Sequence, residues 1–373
     1  MTKTTKFSFP VSPLVGSSYG NFLDVSRNKK IDSGYKSRYF LTNIASLILD
    51  PFGKGETYIK KDLLNKTQID KPPVFILGFW RSGTTFLHNL MCQDPDHAFV
   101  TTYLSIFPHH CLVNSGWMKS LAKLIAPSRR PVDNVKLDMN WPQEEEMALG
   151  NMQPLSFYNY FYFPDHTEEY TQRSLLFNNV NQQEFDEWEK AYKLLIKKAL
   201  ILSPGDRFVS KNPPNTFRIP QLLKLFPDAK FVYIYRNPYR TLSSFLLFMK
   251  QVMLGVGFQN LDEKEIDLQL LNLYMIALEK YEKDKVLIPK NNLIEIQYET
   301  FKADPFNTIE NIYNTFDLSD FKNIEPTLKN YITSQKHQKS GGHFMPDHLV
   351  EFIQNNLKDY MDSKGYSMDP EMK

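Results

Sequence analysis

The distribution of apolar residues along the chain predicts strands that alternate with helices. Four short apolar runs lie at residues 72–79, 208–214, 230–238 and 292–300, and each is bounded by Gly, Pro or polar residues. Runs of this length and composition are typical of strands that are buried on both faces of a parallel sheet. The pattern therefore predicts an α/β fold, a three-layer sandwich with a central parallel sheet of four or five strands.

Helical segments fill the intervals between these runs. The segment DPFNTIENIYNTF follows the last run, with Asp304 placed to cap a helix and Pro305 at its first position. We expect a mainly helical N-terminal extension over residues 1–70, with a helix around 38–49. The main domain then covers 71–373, with a helical insertion at about 100–205. Ligands of open parallel sheets bind beyond the carboxyl ends of the strands, so the site is expected there.

Composition narrows the class of protein only in part. The chain of 373 residues has a formal charge of +2, which gives no indication of a nucleic-acid partner. Cys92 and Cys111 match neither a metal-ligand spacing nor a disulfide framework, which favours a reduced compartment and a cytoplasmic protein without a metal. The most apolar long window, 241–258, is interrupted by Lys250 and Gln251. We therefore expect no transmembrane segment, and peripheral membrane contact stays open.

The first apolar run leads into GFWRSGTTFLH, residues 78–88, which is nearly a Walker A phosphate loop. Such a loop has Lys after its second Gly, but here that position is Thr84 and the loop's cation is Arg81. A turn between a strand and a helix presents backbone N–H groups that can bind an anion. The other candidate binding residues supply hydroxyl donors and a tight turn: Ser82, Gly83, Thr84 and Thr85. The alternative is a Gly/Ser/Thr-rich turn without a ligand.

A second candidate phosphate site is YIYRNPYRTLSSF, residues 233–245. Arg236 ends an apolar run, and Ser244 follows eight residues later on a predicted helix. A guanidinium group can bind a phosphate through two parallel hydrogen bonds, and the Ser hydroxyl adds one more donor. Taken alone, Arg236 fits an ordinary ion pair at a strand end equally well.

Together the two stretches resemble the 5′- and 3′-phosphate-binding motifs of sulfotransferases that use 3′-phosphoadenosine 5′-phosphosulfate (PAPS). The resemblance covers about residues 72–335, and WPQEEEMAL and SKNPPNTFRIPQLL are similar to the bacterial and to the protein-tyrosine or carbohydrate-type branch. It implies a P-loop-like fold, PAPS as co-substrate, no metal, and a hydroxyl-bearing acceptor. It also implies that Tyr298 of IQYETFKADP approaches the adenine. Thr333 and Ser334 are weaker matches to a Thr-Ser stretch near the purine, and Lys339 is a weaker match to a basic residue near the 3′-phosphate.

The resemblance also indicates which residues carry the chemistry. Lys211 stands where the cytosolic branch has the Lys of a K-x-H motif, but Pro213 stands at its catalytic His. Relatives in the bacterial branch use a Glu as general base, which points to WPQEEEMAL, with Glu144 first and Glu146 second. Arg81 and Lys211 are then the cations that stabilise the transferring group. Two alternatives remain: the three Glu form a solvated first helical turn, or His109 is the base.

The acceptor is not identified by the sequence. The segment NMQPLSFYNYFYFPDH, residues 151–166, is rich in aromatic residues, which fits either an acceptor wall or a buried core, with a slight preference for the wall. A lipid, a glycan, a phenol and a peptidyl tyrosine all remain open. Two other functions are alternatives: a P-loop nucleotide kinase or hydrolase, and a non-catalytic nucleotide-binding protein. The missing Walker A Lys counts against the kinase or hydrolase.

Overall fold

A five-stranded parallel sheet forms the centre of the computed structural model, which describes residues 9–113, 116, 118–120, 138–335 and 345–370. The strand order is β2-β3-β1-β4-β5, and every pairing is parallel. The strands are β1 Val74–Leu77, β2 His97–Ala98, β3 Arg207–Lys211, β4 Lys230–Tyr235 and β5 Leu293–Gln297. The predicted α/β fold with a parallel sheet is confirmed. The two-residue strand β2 was not predicted, and β3 and β5 end before the Pro-Pro pair and before Tyr298.

Helices cover both faces of this sheet. On one face Val74 and Ile76 of β1 pack with the helices that follow β1 and β5, and on the other Phe75 and Leu77 pack with the helix before β3. This alternation produces the predicted three layers. The helices of the described residues are α1 Tyr19–Ser26, α2 Lys36–Ile59, α3 Lys61–Lys66, α4 Thr84–Met91, α5 Thr102–Ile106, α6 Glu146–Met152, α7 Thr167–Tyr170, α8 Gln182–Leu202, α9 Ile219–Leu225, α10 Pro238–Val256, α11 Glu263–Asp284, α12 Tyr298–Ala303, α13 Pro305–Phe316, α14 Glu325–Gln335, α15 Asp347–Asn356 and α16 Lys358–Ser363.

The strand order places β1 at the centre of the sheet. The chain leaves β1 toward β2 and β3 on one side and later returns to β4 and β5 on the other. Ligands in doubly wound sheets bind at the carboxyl ends where the order reverses in this way. The turn after β1 and the ends of β3 and β4 therefore lie at one crevice.

The aromatic segment after α6 is part of the core. It forms a short 3-10 helix, Phe157–Phe161, and packs in one cluster with α10 and α11. Five of its rings are at most 5% exposed, namely Phe157, Tyr160, Phe161, Tyr162 and Phe163, while Tyr158 is half-buried. The slight preference for an acceptor wall is therefore wrong for these rings, because burial of apolar area accounts for them without a ligand.

The N-terminal region is helical, and the helix expected around 38–49 is confirmed in α2. The N-cap expected at Asp304 is also confirmed, because its carboxylate accepts a hydrogen bond from the Asn307 N–H. The division into an extension, 1–70, and a main domain, 71–373, stays a prediction. Among the described residues, no helix has both the length and the apolar character that a membrane crossing needs.

Candidate active site

The turn after β1 has the backbone of an anion-binding loop. Gly78, Arg81 and Gly83 all have positive φ angles, of 143°, 67° and 102°. A Cβ atom on Gly83 would lie 2.2 Å from Cδ2 of Tyr298, so this position requires glycine. The turn runs directly into α4, whose first residue, Thr84, is buried, while Thr85 is exposed. The backbone N–H groups at this helix start can bind an anion.

The two predicted phosphate motifs meet in the structure. Arg81 Nε donates a hydrogen bond of 2.9 Å to Ser244 Oγ, and Arg236 Nη1 donates one of 3.3 Å to the carbonyl oxygen of Arg81. The Arg236 guanidinium lies 4.5 Å from the centre of the Tyr298 ring. The turn after β4, the helices α10 and α12 and the loop thus converge on one place.

The environment of Arg236 differs from that of an ordinary strand-end ion pair. Within the described part of the chain no carboxylate pairs with it, and its buried Nε atom has no acceptor. A buried donor without a partner costs free energy that a ligand can recover. Arg236 and Ser244 therefore fit a bound phosphate. The Tyr298 ring, which packs against Gly83, lies beside the Arg236 guanidinium.

The opposite side of the crevice carries Lys211, the last residue of β3. Lys211 pairs in register with Ile76 of β1, two residues before Gly78, so it lies beside the loop. Its Nζ atom is 2.7 Å from Oε1 of Glu144. The Lys211 side chain is 3% exposed and that of Glu144 is 28% exposed. Glu144 is therefore the member of the pair that an incoming molecule can reach.

Glu145 faces the interior and anchors the end of β3. Its carboxylate accepts hydrogen bonds from Lys211 N–H at 2.9 Å, Ser210 Oγ at 2.8 Å and the Tyr192 hydroxyl at 2.7 Å. Burial raises the pKa of Glu145 to about 7, although these donors act in the opposite direction. Glu145 was not among the predicted site residues; the three consecutive Glu before an apolar stretch were the available signal.

Glu146 is held in a buried ion pair with Arg218, with N–O distances of 2.7 and 2.9 Å. Asn212 Nδ2, Ser156 Oγ and the Phe157 N–H complete its set of donors. Burial alone would raise the pKa of Glu146, but the Arg218 charge and these hydrogen bonds outweigh it and lower the pKa. The alternative of a solvated helix start is wrong for Glu145 and Glu146, which are 1% and 3% exposed.

The histidine alternative lies elsewhere. His109 Nε2 is 3.1 Å from the carbonyl oxygen of Asn151, and the side chain packs under Gly53 of α2. Burial and the nearby Lys198 charge lower the pKa of His109 to about 4, which keeps it neutral. Its contacts are thus with Asn151 of α6 and Gly53 of α2, and no hydrogen bond joins it to Lys211 or Glu144 among the described residues. Thr333 and Ser334 are exposed on α14, and Lys339 lies outside the described residues.

The described residues contain no cluster of three or more His, Cys, Asp or Glu side chains that is arranged to hold a metal ion. A family model described as Sulfotransferase family matches residues 72–323, which is more than half of the chain. The chain belongs to the sulfotransferase family. The resemblance found in the phosphate motifs is thereby confirmed, and neither the nucleotide kinase or hydrolase nor the non-catalytic alternative is favoured.

Two curated relatives of this sulfotransferase are named omega-hydroxy-beta-dihydromenaquinone-9 sulfotransferase Stf3, from Mycobacterium bovis and Mycobacterium tuberculosis. Each is 27% identical over 301 residues, which covers 81% of this chain and 77% of the relative. Among solved structures, sulfotransferase STF9 from Mycobacterium avium has a TM-score of 0.68 at 16% identity, covering 94% of this chain and 97% of that one. Sulfotransferase STF1 from Mycobacterium tuberculosis has a TM-score of 0.62 at 16% identity, covering 90% of each chain. These likenesses confirm the P-loop-like fold.

Proposed function

We propose that this sulfotransferase moves the sulfuryl group of PAPS to a hydroxyl of a lipid-like acceptor, with Glu144 as general base. One observation carries the proposal: the loop cation, the 3′-phosphate motif and the Lys211–Glu144 pair all lie at the carboxyl ends of three adjacent strands. Adjacent strands are about 4.8 Å apart, so these groups can act on one ligand.

The donor is assigned to the β1 and β4 side of this crevice. Arg81, Ser82, Gly83, Thr84 and Thr85 bind the 5′-phosphosulfate through the loop backbone, the hydroxyls and the guanidinium. Arg236 and Ser244 bind the 3′-phosphate, and Tyr298 lies against the nucleoside. The support is the left-handed loop backbone, the unpaired Arg236 Nε and the contact between the two motifs.

The chemistry is assigned to the β3 side. Glu144 accepts the proton of the acceptor hydroxyl while the new O–S bond forms and the bond from sulfur to the phosphate oxygen breaks. Lys211 and Arg81 stabilise the charge that develops on the sulfuryl oxygens and the leaving phosphate. Glu146 was the second candidate base, but its oxygens are occupied by Arg218 and Asn212. We therefore assign Glu146 and Glu145 to positioning, and Glu144 alone to proton transfer.

The acceptor is assigned from two observations. The relatives named above are, by name, sulfotransferases of an omega-hydroxy-dihydromenaquinone. In this chain Trp141 and Pro142, three and two residues before Glu144, line a cavity of about 300 Å³ together with Phe99. The aromatic rings of Phe99 and Trp141 in this lining suit an apolar acceptor, and Asn89 and Gln93 add polar groups that can orient its hydroxyl. No nucleic-acid partner is proposed, and a cytoplasmic location stays a prediction.

Incubation with labelled PAPS and separate lipid, glycan and phenolic extracts tests the proposal. We expect label in the lipid fraction, and its loss with Glu144→Gln. Calorimetry with 3′-phosphoadenosine 5′-phosphate (PAP) and with ATP·Mg tests the donor independently, and only PAP should bind. Label confined to glycans or phenols would change the acceptor class, whereas binding of ATP·Mg without PAP would overturn the donor assignment.

A further inference from the structure

Helix α2 has its polar residues inside and its apolar residues outside. An ordinary surface helix buries an apolar stripe and exposes polar residues. Here the buried residues are polar or small: Arg38, Thr42, Ser46, Asp50, Gly53 and Glu56. The exposed residues are large and apolar: Phe40, Leu41, Ile44, Leu47, Ile48 and Phe52.

Specific partners fix this orientation. Arg38 Nη1 donates to the carbonyl oxygen of Gly257 at 2.5 Å, and Asp50 Oδ1 accepts from the Tyr19 N–H at 3.0 Å. At the other end, the buried Glu56 forms an ion pair with Lys198 at 2.9 Å. Rotating the helix to bury its apolar stripe would break these contacts and leave charges unpaired. The exposure of the stripe is therefore built into the fold.

The charges around the stripe have one predominant sign. Both acidic residues of α2, Asp50 and Glu56, are buried. On α2 and α3 the exposed charged residues are Lys36, Lys54, Lys61 and Lys66, against the single exposed acid Asp62. Lys54 also contacts Asp50. The exposed side of these two helices is thus apolar in its middle and positive at its ends.

We propose that α2 lies flat on the surface of an anionic lipid bilayer, with its apolar stripe in the interfacial region. A helix with an apolar face and flanking lysines binds such a surface by burial and by attraction to anionic headgroups. The stripe from Phe40 to Phe52 gives a contact about 18 Å long on this 24-residue helix. A second copy of the chain is a less suitable partner, because a two-fold contact along this face would place lysines near lysines.

The apolar surface continues from α2 toward the donor site. On α10, Ser244, Leu247, Phe248 and Leu254 share one face because they are spaced at three, four and ten residues. The Leu254 carbonyl accepts a hydrogen bond from Arg38, while the Phe248 ring lies 5.3 Å from the Arg81 guanidinium. Leu247 and Leu254 are 53% and 37% exposed. The apolar surface thus reaches from α2 to the Arg81 loop. That a lipid acceptor approaches the site from the bilayer along this surface rests on the proposed function.

Vesicle binding measures the membrane contact without donor or acceptor, so its outcome is separate from the proposed chemistry. The full chain is sedimented with vesicles of phosphatidylcholine alone and of phosphatidylcholine mixed with phosphatidylglycerol. We expect binding to the anionic vesicles that weakens with salt. The double variant Phe40→Gln/Ile48→Gln should lose about ten-fold or more of this binding, because each change removes a large apolar side chain from the contact.

Val286→Gln is the matched control, because Val286 is also a highly exposed apolar residue, at 76%, and lies outside α2 and α10. This control should bind vesicles as the unchanged chain does. Urea unfolding midpoints should be equal in all three proteins, which shows that the variants are folded. Equal vesicle binding by the double variant, or no binding by the unchanged chain, would overturn the proposal. A dimer that dissociates only in the double variant would instead assign this face to self-association.

Discussion

The two sides of the crevice satisfy their polar groups differently. On the β3 side, Glu145 and Glu146 are buried, and donors from several elements surround both carboxylates. On the β1 and β4 side, three residues of the loop have positive φ angles, and a buried nitrogen of Arg236 has no acceptor among the described residues. The first side surrounds two carboxylates with a network of donors and anchors the Lys211 backbone, whereas the second leaves a donor for a ligand. Substitutions on the two sides should therefore differ in kind.

The largest effect is expected at Glu144, where the β3 side faces the crevice. Glu144→Gln should lower turnover by about 10²–10⁴-fold, because the amide cannot accept the hydroxyl proton. PAP affinity, measured by calorimetry, should stay nearly unchanged, since Glu144 contacts Lys211 rather than the loop. Alcohol acceptors should lose more than phenols, whose proton leaves more easily. Full turnover in Glu144→Gln together with its loss in His109→Ala would transfer the role of base to the histidine.

A large loss of stability is expected inside the network. Arg218→Ala leaves the Glu146 carboxylate buried without its ion-pair partner, which typically costs about 3–5 kcal/mol. Urea unfolding measures this loss as a lower midpoint. Arg27→Ala is the matched control, because Arg27 forms an exposed ion pair with Asp24 and should change stability little. Equal midpoints for the two variants would show that the Arg218–Glu146 pair does not hold the network together.

The pH dependence of stability should report on Glu145. Its pKa is raised from 4.5 to about 7 in the folded protein, so the folded state binds this proton more tightly than the unfolded state. The contribution is fully present below the unfolded pKa and is lost as the pH rises through about 7. Glu145→Gln should remove this component, roughly 3 kcal/mol at most. Unfolding curves at about pH 5 and about pH 8 should then differ less in Glu145→Gln than in the unchanged chain. An identical pH slope in both proteins would contradict the assignment.

The smallest effect is expected on the open side, where a contact with a ligand is lost but the fold is not. Arg236→Ala should weaken PAP binding by about ten- to a hundred-fold, the equivalent of about 1.5–3 kcal/mol. Adenosine 5′-phosphosulfate, which lacks the 3′-phosphate, should bind almost as before. Arg240→Ala, one turn along the same segment, serves as the control and should leave both ligands unaffected. A similar loss for both ligands would mean that Arg236 supports the loop rather than the 3′-phosphate.

The sequence predicted the strands and the turn that local patterns of residues determine. The apolar runs gave β1, β3, β4 and β5, and the Gly/Ser/Thr loop gave the turn before α4. Strand β2 has two residues, too few for any periodicity to show. The bounds of β3 and β5 depend on where pairing stops, which local composition fixes only within a few residues.

The contacts that distinguish the three consecutive Glu could not be predicted. Arg218 hydrogen-bonds to Glu146 from a position 72 residues away in the sequence, and Ser210 hydrogen-bonds to Glu145 from 65 residues away. Helical periodicity indicates which side chains share a face, but not which distant donors reach them. The orientation of α2 shows the same limit. Its apolar stripe would ordinarily be assigned to the core, and only the partners of Arg38, Asp50 and Glu56 show that it faces outward.

In the proposed donor site, the hydrogen bond between Arg81 and Ser244 would make the two ends thermodynamically dependent on each other. Arg81 belongs to the loop assigned to the 5′ end, and its side chain donates to Ser244 while its carbonyl accepts from Arg236. A group that draws Arg81 toward one end therefore changes the donors that are available at the other. Coupling between two binding events is reciprocal. If binding of the 3′-phosphate raises the affinity of the 5′ end by some factor, binding at the 5′ end raises the affinity for the 3′-phosphate by the same factor.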